Sequence, residues 1–190
     1  AGAVLIDSGA TFQSARKIHE AAKKVTTQPI RWVINTGDQD HRWLGNGYFK
    51  SLGIETIAHA DGEDDMKARS GEQMEGLKVL KERLDGTVPT LPTRFVKDKD
   101  TRLELGGVSI ELKHRSGGNT PGDTLVWLPQ KNVLFAGDVV YVEKTAAGGG
   151  DRQAWRLRQV PEISGAIVVM DPHTGRVLAL VGGFSYGRSQ

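Results

Sequence analysis

Apolar residues recur along this chain in two rhythms, and the change between them falls near residue 86. Before it, short apolar runs alternate with stretches of helical spacing. The run Ala3–Ile6 predicts a short buried strand, and Asp7-Ser8-Gly9 after it reads as a turn with capping residues. Phe12, Ala15, Ile18, Ala22 and Val25 then recur every three or four residues and predict an amphipathic helix over 11–25, ended by Pro29. Ile30–Ile34 reads as a second strand, 44–52 as a short helix stopped by Gly53, and 54–59 as a third strand. Met66, Gln73, Leu77, Leu80 and Leu84 mark one face of a longer helix within 63–84, interrupted by Gly71 and Gly76. Alternation of this kind predicts an α/β layer with at least part of its sheet parallel.

After Gly86 the rhythm shortens. The runs 94–96, 101–105, 108–112, 124–128 and 133–135 are separated by Gly, Pro and Asp turns and predict short strands. Leu103 and Leu105, then Val108, Ile110 and Leu112, alternate with period two, and Leu105-Gly106-Gly107-Val108 reads as a hairpin turn. Gly148-Gly149-Gly150 marks a linker, and beyond it 166–170 and 176–181 predict a further hairpin around Asp171-Pro172-His173-Thr174-Gly175.

Composition narrows the class. The 190 residues suffice for one core, or for one domain with an appendage. Hydrophobic residues make up 38% and charged residues 25%, as in an ordinary soluble globular protein. A net charge of +2, with bases and acids interspersed, gives no footprint for nucleic acid. No apolar run approaches the roughly 20 residues of a membrane span. Without cysteine there is no disulfide and no thiolate ligand, so any metal must be held by His, Asp, Glu or Asn. Localisation stays open between cytoplasm and periplasm. The chain opens directly in a strand-like run, which reads as a beginning that has been cut off.

Chemistry concentrates in 34–46, Ile-Asn-Thr-Gly-Asp-Gln-Asp-His-Arg-Trp-Leu-Gly-Asn. An apolar strand ends there in Asp38, Asp40 and His41. Carboxylate and imidazole at a strand end are what a bound zinc or similar cation needs; the same carboxylates could equally cap the next helix. His59 stands near Asp61, Glu63, Asp64 and Asp65. That group reads first as a solvated helix N-terminus, where acids favour the macrodipole, with a second cation site as the alternative. His114 and His173 fall in turn contexts and read as exposed, and His19 lies on a polar helix face. Ser14-Ala15-Arg16-Lys17 fits Ser-x-x-Lys and Lys144-Thr145-Ala146 is near Lys-Thr-Gly, but patterns this short arise by chance and Ser14 sits inside a helix. The Gly-rich segments fit no phosphate-loop spacing.

Residues 1–144 resemble a metallo-β-lactamase-fold hydrolase. Val4-Leu5-Ile6-Asp7-Ser8-Gly9 is similar to that family's Val-x-Ile-Asp-Thr-Gly strand and turn. The Asp40-His41 end of its His-x-His-x-Asp-His motif is intact, with Thr36 and Asp38 at the two earlier histidine positions. Asn119-Thr120-Pro121-Gly122-Asp123-Thr124 resembles its His-Thr-Pro-Gly-Asp/His segment, with Asn119 at the ligand histidine. Val133-Leu134-Phe135-Ala136-Gly137-Asp138 is similar to its strand ending in Gly-Asp, whose aspartate bridges two metals. The family fold is an αββα sandwich of two similar halves, and this chain holds little beyond the first. The fold expected is therefore α/β: a truncated metallo-β-lactamase-like αβ layer, half of the αββα sandwich, with an appended C-terminal β-hairpin.

Residues 155–190 resemble the start of the transpeptidase domain of class A penicillin-binding proteins. Trp155-Arg156-Leu157-Arg158-Gln159-Val160-Pro161-Glu162 and the run from Asp171 to Phe184 carry that likeness, which stops before the family's Ser-x-x-Lys nucleophile. The chain thus reads as a chimera: 1–144 a partial metallo-β-lactamase-like domain, 145–154 a Gly-rich linker, and 155–190 a penicillin-binding-protein-like hairpin segment.

The first resemblance implies a metal-dependent hydrolase of small-molecule esters, phosphoesters or activated carboxylic esters, acting through metal-bound hydroxide. His41 and Asp138 would be ligands. Asp40 would orient or deprotonate the water as well as ligate, and Asp38 and Asn119 would contribute weakly. Zinc is the family's ion; manganese, magnesium or calcium suit a set this rich in oxygen. The alternative is a catalytically silent, self-associating chimeric module with a degenerate metal site. Half a sandwich also predicts a homodimer, because strands 3–6, 30–34 and 133–135 would leave an apolar face that a second copy covers. The C-terminal hairpin is expected to cover a sheet edge or face.

Overall fold

In the computed structural model the described residues are 2–115, 118–146, 153–159, 166–170 and 177–182, with backbone alone from Val140 onward. Two four-stranded sheets make up the body. The first holds β1 (Ala3–Ile6), β2 (Ile30–Ile34), β3 (Glu55–His59) and β4 (Arg94–Val96), parallel and in chain order. Parallel neighbours need crossovers. These are supplied by α1 (Phe12–Val25) after β1, α2 (Asp40–Trp43) and α3 (Asn46–Ser51) after β2, and α4 (Glu63–Gly76) with the 3₁₀ segment Leu77–Leu84 after β3. The second sheet is an antiparallel meander of β5 (Asp100–Leu105), β6 (Val108–His114), β7 (Thr124–Leu128) and β8 (Val133–Phe135). At the β5–β6 turn Gly106 and Gly107 have φ of 60° and 79°, the left-handed pair that a two-residue hairpin loop favours.

Period two sorts the side chains of the first sheet between its faces. Val33 packs with Ala15 and Phe49 of the helices, and Ala58 packs with Trp43, Leu44 and Met66. The alternate residues Ile34 and Ile57 face the second sheet and share a core with Leu103, Ile110, Leu112 and Val126. This is the truncated αβ layer expected from the sequence, with α1–α4 all lying between β1 and β4 in the chain.

Several boundaries differ from the pattern reading, each for a physical reason. The helix expected over 44–52 is present as α3, and the short α2 ahead of it is an addition; between the two the Gly45 N–H bonds to the Gly9 carbonyl at 2.8 Å, and a Cβ at Gly45 would collide with the Ser8 carbonyl. Chain 44–46 therefore crosses the turn after β1 at backbone contact. The long helix within 63–84 ends at Gly76, and the 3₁₀ segment after it bends at Lys81, whose φ is 50°. The strand Ile30–Ile34 was expected on an open face, yet Val33 and Ile34 are 0% and 1% exposed, covered by the helices and the second sheet. The open apolar surface is at β8, where Val133, Leu134 and Phe135 are 40%, 48% and 39% exposed.

Further along, β9 (Val140–Ala146) pairs antiparallel with β10 (Gln153–Gln159), a ladder the sequence reading did not anticipate. Thr145, Ala146, Gln153 and Ala154, read as linker ends, are strand residues in it. The hairpin expected near the C-terminus is present as β11 (Ala166–Met170) against β12 (Val177–Gly182). Gly148–Gly150 and His173 lie outside the described residues, as do the side chains on which a covering role for the hairpin rests.

Candidate functional site

Because β1, β2 and β3 are parallel, their carboxyl ends point the same way and the loops after them meet at one edge. Asp7 follows β1, the stretch from Asn35 to His41 follows β2, and His59 ends β3. The second sheet brings His114 at the end of β6, the turn through Asp123 and the turn carrying Gly137 and Asp138. The Thr124 N–H donates to the Thr36 carbonyl at 2.8 Å and ties the two sheets together there.

A buried arginine organises this edge. Arg42 is 1% exposed. Its Nη1 lies 2.7 Å from Asp123 Oδ1 and donates to the Thr36 carbonyl at 3.0 Å, while its Nη2 is 2.6 Å from Asp138 Oδ2. Gly37 is required beside it, since a Cβ there would overlap Nη1. Asp123, 1% exposed, also accepts from the Thr120 N–H at 3.0 Å, the Thr120 hydroxyl at 2.8 Å and the Asn119 N–H. Burial alone would raise Asp138, but the bonds and charges of Arg42 and His41 outweigh it and hold this carboxyl below the usual range. Asp7 sits in the left-handed region at φ 62°, and its carboxylate accepts the Thr36 N–H at 2.7 Å. Burial raises its pKa against the opposing help of Thr36 and the charges of Arg42 and His41.

Of the residues singled out in the sequence, Asp40, His41 and Asp138 come together, with the imidazole in the middle. His41 Nδ1 is 3.1 Å from Asp40 Oδ1, and its Nε2 is 3.0 Å from Asp138 Oδ2. Asp40 and His41 line an open pocket of about 180 Å³ with Gln39, Arg69 and Gln73. Asp38 turns elsewhere, toward Gly62 and Gly122. It is fully buried and neither carboxylate oxygen receives a hydrogen bond. Burial pushes its pKa up to about 6; the nearby Thr120 hydroxyl offsets this slightly, and the charges of Asp65 and Asp123 add to it. Asn119 is exposed and joins the network through its backbone.

The donor set can be tested against the divalent metal that the resemblance implies. When His41 donates from Nδ1 to Asp40, its Nε2 lone pair faces a carboxylate oxygen at 3.0 Å, and two acceptors that close need a shared proton or a shared cation. Asp7, Asp123 and Asp138 also share the one guanidinium of Arg42, which leaves that group with excess negative charge. Both observations fit a cation. Arg42 already holds Asp138, the aspartate read as bridging two metals, so the residues fit one ion and not a pair.

Sequence reasoning missed Arg42, Asp7 and Asp123 as members of the site. It also placed His114 in an exposed turn. The residue is 4% exposed, at the end of β6, stacked on His59. Among the described residues, His59, Asp61 and His114 form a group whose potential ligand atoms all lie within 4.8 Å of one another.

This arrangement of strand ends and loops agrees with the sequence comparison. The model of the metallo-beta-lactamase superfamily matches residues 1–176, and the chain belongs to that superfamily. Solved structures with a similar fold include the metallo-beta-lactamase from Pontibacter korlensis, 23% identical with a TM-score of 0.57, covering 74% of this chain and 56% of its own. The metallo-beta-lactamase IND-7 is 24% identical with a TM-score of 0.57, covering 77% and 58%. A second likeness accompanies the first. Penicillin-binding protein 1A of Neisseria meningitidis is 26% identical over 176 residues, 92% of this chain and 19% of that protein. The Rickettsia typhi protein of the same name is 48% identical over 60 residues, 32% of this chain and 7% of that protein. The chain thus spans a little over half of those structures and under a fifth of those penicillin-binding proteins.

Proposed function

We propose that the chain is a metal-dependent hydrolase of small anionic esters, phosphoesters or activated carboxylic esters, using one divalent ion. The observation that carries this reading is His41 Nε2 facing Asp138 Oδ2 across 3.0 Å beside a pocket lined by Asp40. Bound there, a divalent ion supplies Lewis acidity, making a water easier to deprotonate and polarising an ester oxygen. His41 and Asp138 would hold it. The Asp40 carboxylate fixes the tautomer of His41 through Nδ1, and its other oxygen is available to take a proton from an attacking water. Arg69, on the pocket wall, would give an anionic substrate group a partner on leaving Asp65, 3.3 Å away. The pocket's size, about 180 Å³, lies below the range typical of drug-sized ligands and favours a small ester. Zinc is the superfamily's usual ion, and the carboxylates also suit manganese, magnesium or calcium.

Chromogenic phosphate and carboxylate esters, assayed with and without chelator, test the proposal. Chelation should abolish hydrolysis, and His41→Ala should lower kcat/KM by on the order of 100-fold, while Ser14→Ala should change nothing. Activity that survives both chelation and His41→Ala would sink it. One observation favours the alternative of a silent module: Arg42 already neutralises Asp138 and Asp123 without any metal. A folded protein that binds no divalent ion and hydrolyses none of the panel would establish that alternative.

The homodimer remains part of this proposal on narrower grounds. Beside the exposed edge strand β8, an apolar cleft of about 230 Å³ runs between the sheets, lined by Val4, Ile6, Leu105, Val126 and Phe135 among others. A second copy pairing at β8 would cover both. Sedimentation equilibrium should give a dimer at tens of micromolar, and Leu134→Lys should shift it to monomer; a parent chain that is monomeric there removes the idea. The chimeric division at 144 and 155 is likewise proposed, resting on the two likenesses, although the superfamily match runs on to residue 176. Among the described residues no helix is long and apolar enough to cross a membrane.

A further inference from the structure

We propose that His59, Asp61 and His114 form a separate site for a borderline divalent metal such as zinc, cobalt or nickel. None of the three belongs to the Asp40–His41–Asp138 group. His59 ends β3 in the first sheet and His114 ends β6 in the second, so the site bridges the two sheets. Their imidazoles lie parallel, with centroids 3.6 Å apart.

The hydrogen bonds fix which nitrogens are free. His114 Nδ1 is 3.0 Å from the Asp123 carbonyl, which can only accept, so Nδ1 carries the hydrogen. His114 Nε2 then stands 3.0 Å from Asp61 Oδ2, a spacing that a shared proton or a bound cation would satisfy. His59 Nδ1 accepts the Asp61 N–H at 3.2 Å and stands 3.7 Å from the same carboxylate oxygen. Three potential ligand atoms, all within 4.8 Å of one another, thus surround one small volume, and His59 Nδ1 would exchange the Asp61 N–H for the ion. The ring of His59 is 3% exposed, and in this tautomer its Nε2 carries the hydrogen on the side away from the site.

One further feature suits a ligand role. Gly62 and Gly122 touch backbone to backbone, with a Cβ on Gly122 falling 2.9 Å from the Gly62 Cα. That contact locks the loop carrying Asp61 against the loop carrying Asp123. Two imidazoles and one carboxylate match zinc, cobalt and nickel better than magnesium or calcium, and three protein ligands leave a position for water. Asp61 is 61% exposed, so the ion has a way in from solvent. Because the rings are parallel, coordination by both requires one to rotate about its Cβ–Cγ bond.

The experiment uses the full chain carrying His41→Ala, which removes the central donor of the motif site, so that this proposal and the hydrolase reading can fail separately. Cobalt(II) is titrated and followed by its visible absorption, then displaced by zinc. A single equivalent of cobalt is expected. Asp61→Asn, at an exposed position that leaves the fold intact, should weaken binding by on the order of 10-fold or more, and His114→Gln should abolish it. Circular dichroism verifies folding; if His114→Gln does not fold, Asp61→Asn decides. No cobalt or zinc binding tighter than about 100 μM, or binding unchanged in folded Asp61→Asn, overturns the proposal.

Discussion

Arg42→Met is expected to cost the fold about 3–5 kcal/mol, a large share of the 5–15 kcal/mol that holds a typical domain together. The side chain is 1% exposed and its guanidinium lies within 2.7 Å of carboxylate oxygens on two separate loops. Methionine reproduces the apolar stem as far as Nε, so the packing lost is that of the guanidinium alone. With it goes the charge, and Asp123, itself 1% exposed, is then left as a buried anion held only by the hydrogen bonds of Asn119 and Thr120. Urea denaturation at neutral pH measures the loss. Arg42→Met with Asp123→Asn should recover much of it, because the second change removes the stranded charge. Added divalent metal should stabilise Arg42→Met more than the parent, since Asp138 no longer has an internal cation. A single variant within about 1 kcal/mol of the parent would mean that this ion pair does not organise the edge.

What the sequence disclosed and what it hid follow from the range of the forces involved. Periodicity is local, so it located β1 to β8, α1 and the hairpin that became β11 and β12. It did not delimit α2 or reveal the close approach of Gly45 to the Ser8 carbonyl, a contact between residues 37 positions apart that no local pattern encodes. The site divides in the same way. Asp40, His41 and Asp138 were legible because they sit in recognisable motifs, and the fold brings them together. Arg42 was not, because a charged residue beside a short helix reads as solvated surface until the loops that bury it are known. His114 was misplaced because the turn after it was read as its setting, whereas β6 extends to include it and the opposite sheet supplies His59 as its neighbour. Asp38 was found by residue type, but its surroundings were not foreseen: it stands at a motif position yet points toward Gly62 and Gly122, away from His41.

Asp38→Asn should stabilise the protein at pH 7–8 by on the order of 2–3 kcal/mol and have little effect near pH 4. The folded-state pKa of Asp38 is about 6, above its ordinary value of 3.8, because burial and the charges of Asp65 and Asp123 disfavour the anion. The sign follows from proton counting. Between about pH 4 and pH 6 the folded chain keeps a proton on this group that the unfolded chain has released, so stability falls as pH rises through that window. Above it the folded protein carries an ionised carboxylate with no hydrogen-bond donor, and the penalty is complete. Asparagine carries no charge, so the repulsion from Asp65 and Asp123 and the cost of burying an anion both disappear. Asp138 works in the opposite direction. Its pKa is lowered, so its contribution is present above pH 4 and disappears only as pH falls further. Asp7, also raised, adds a slope of the same sign as Asp38, so the difference between variant and parent, not the parent curve alone, isolates the residue. Chemical denaturation from pH 4 to pH 8 should give two curves that nearly meet at the acid end, separate progressively between about pH 4 and pH 6, and run parallel above that. Curves parallel over the whole range would mean that Asp38 ionises as freely in the folded chain as in the unfolded one, and that its carboxylate is solvated or already paired with a cation.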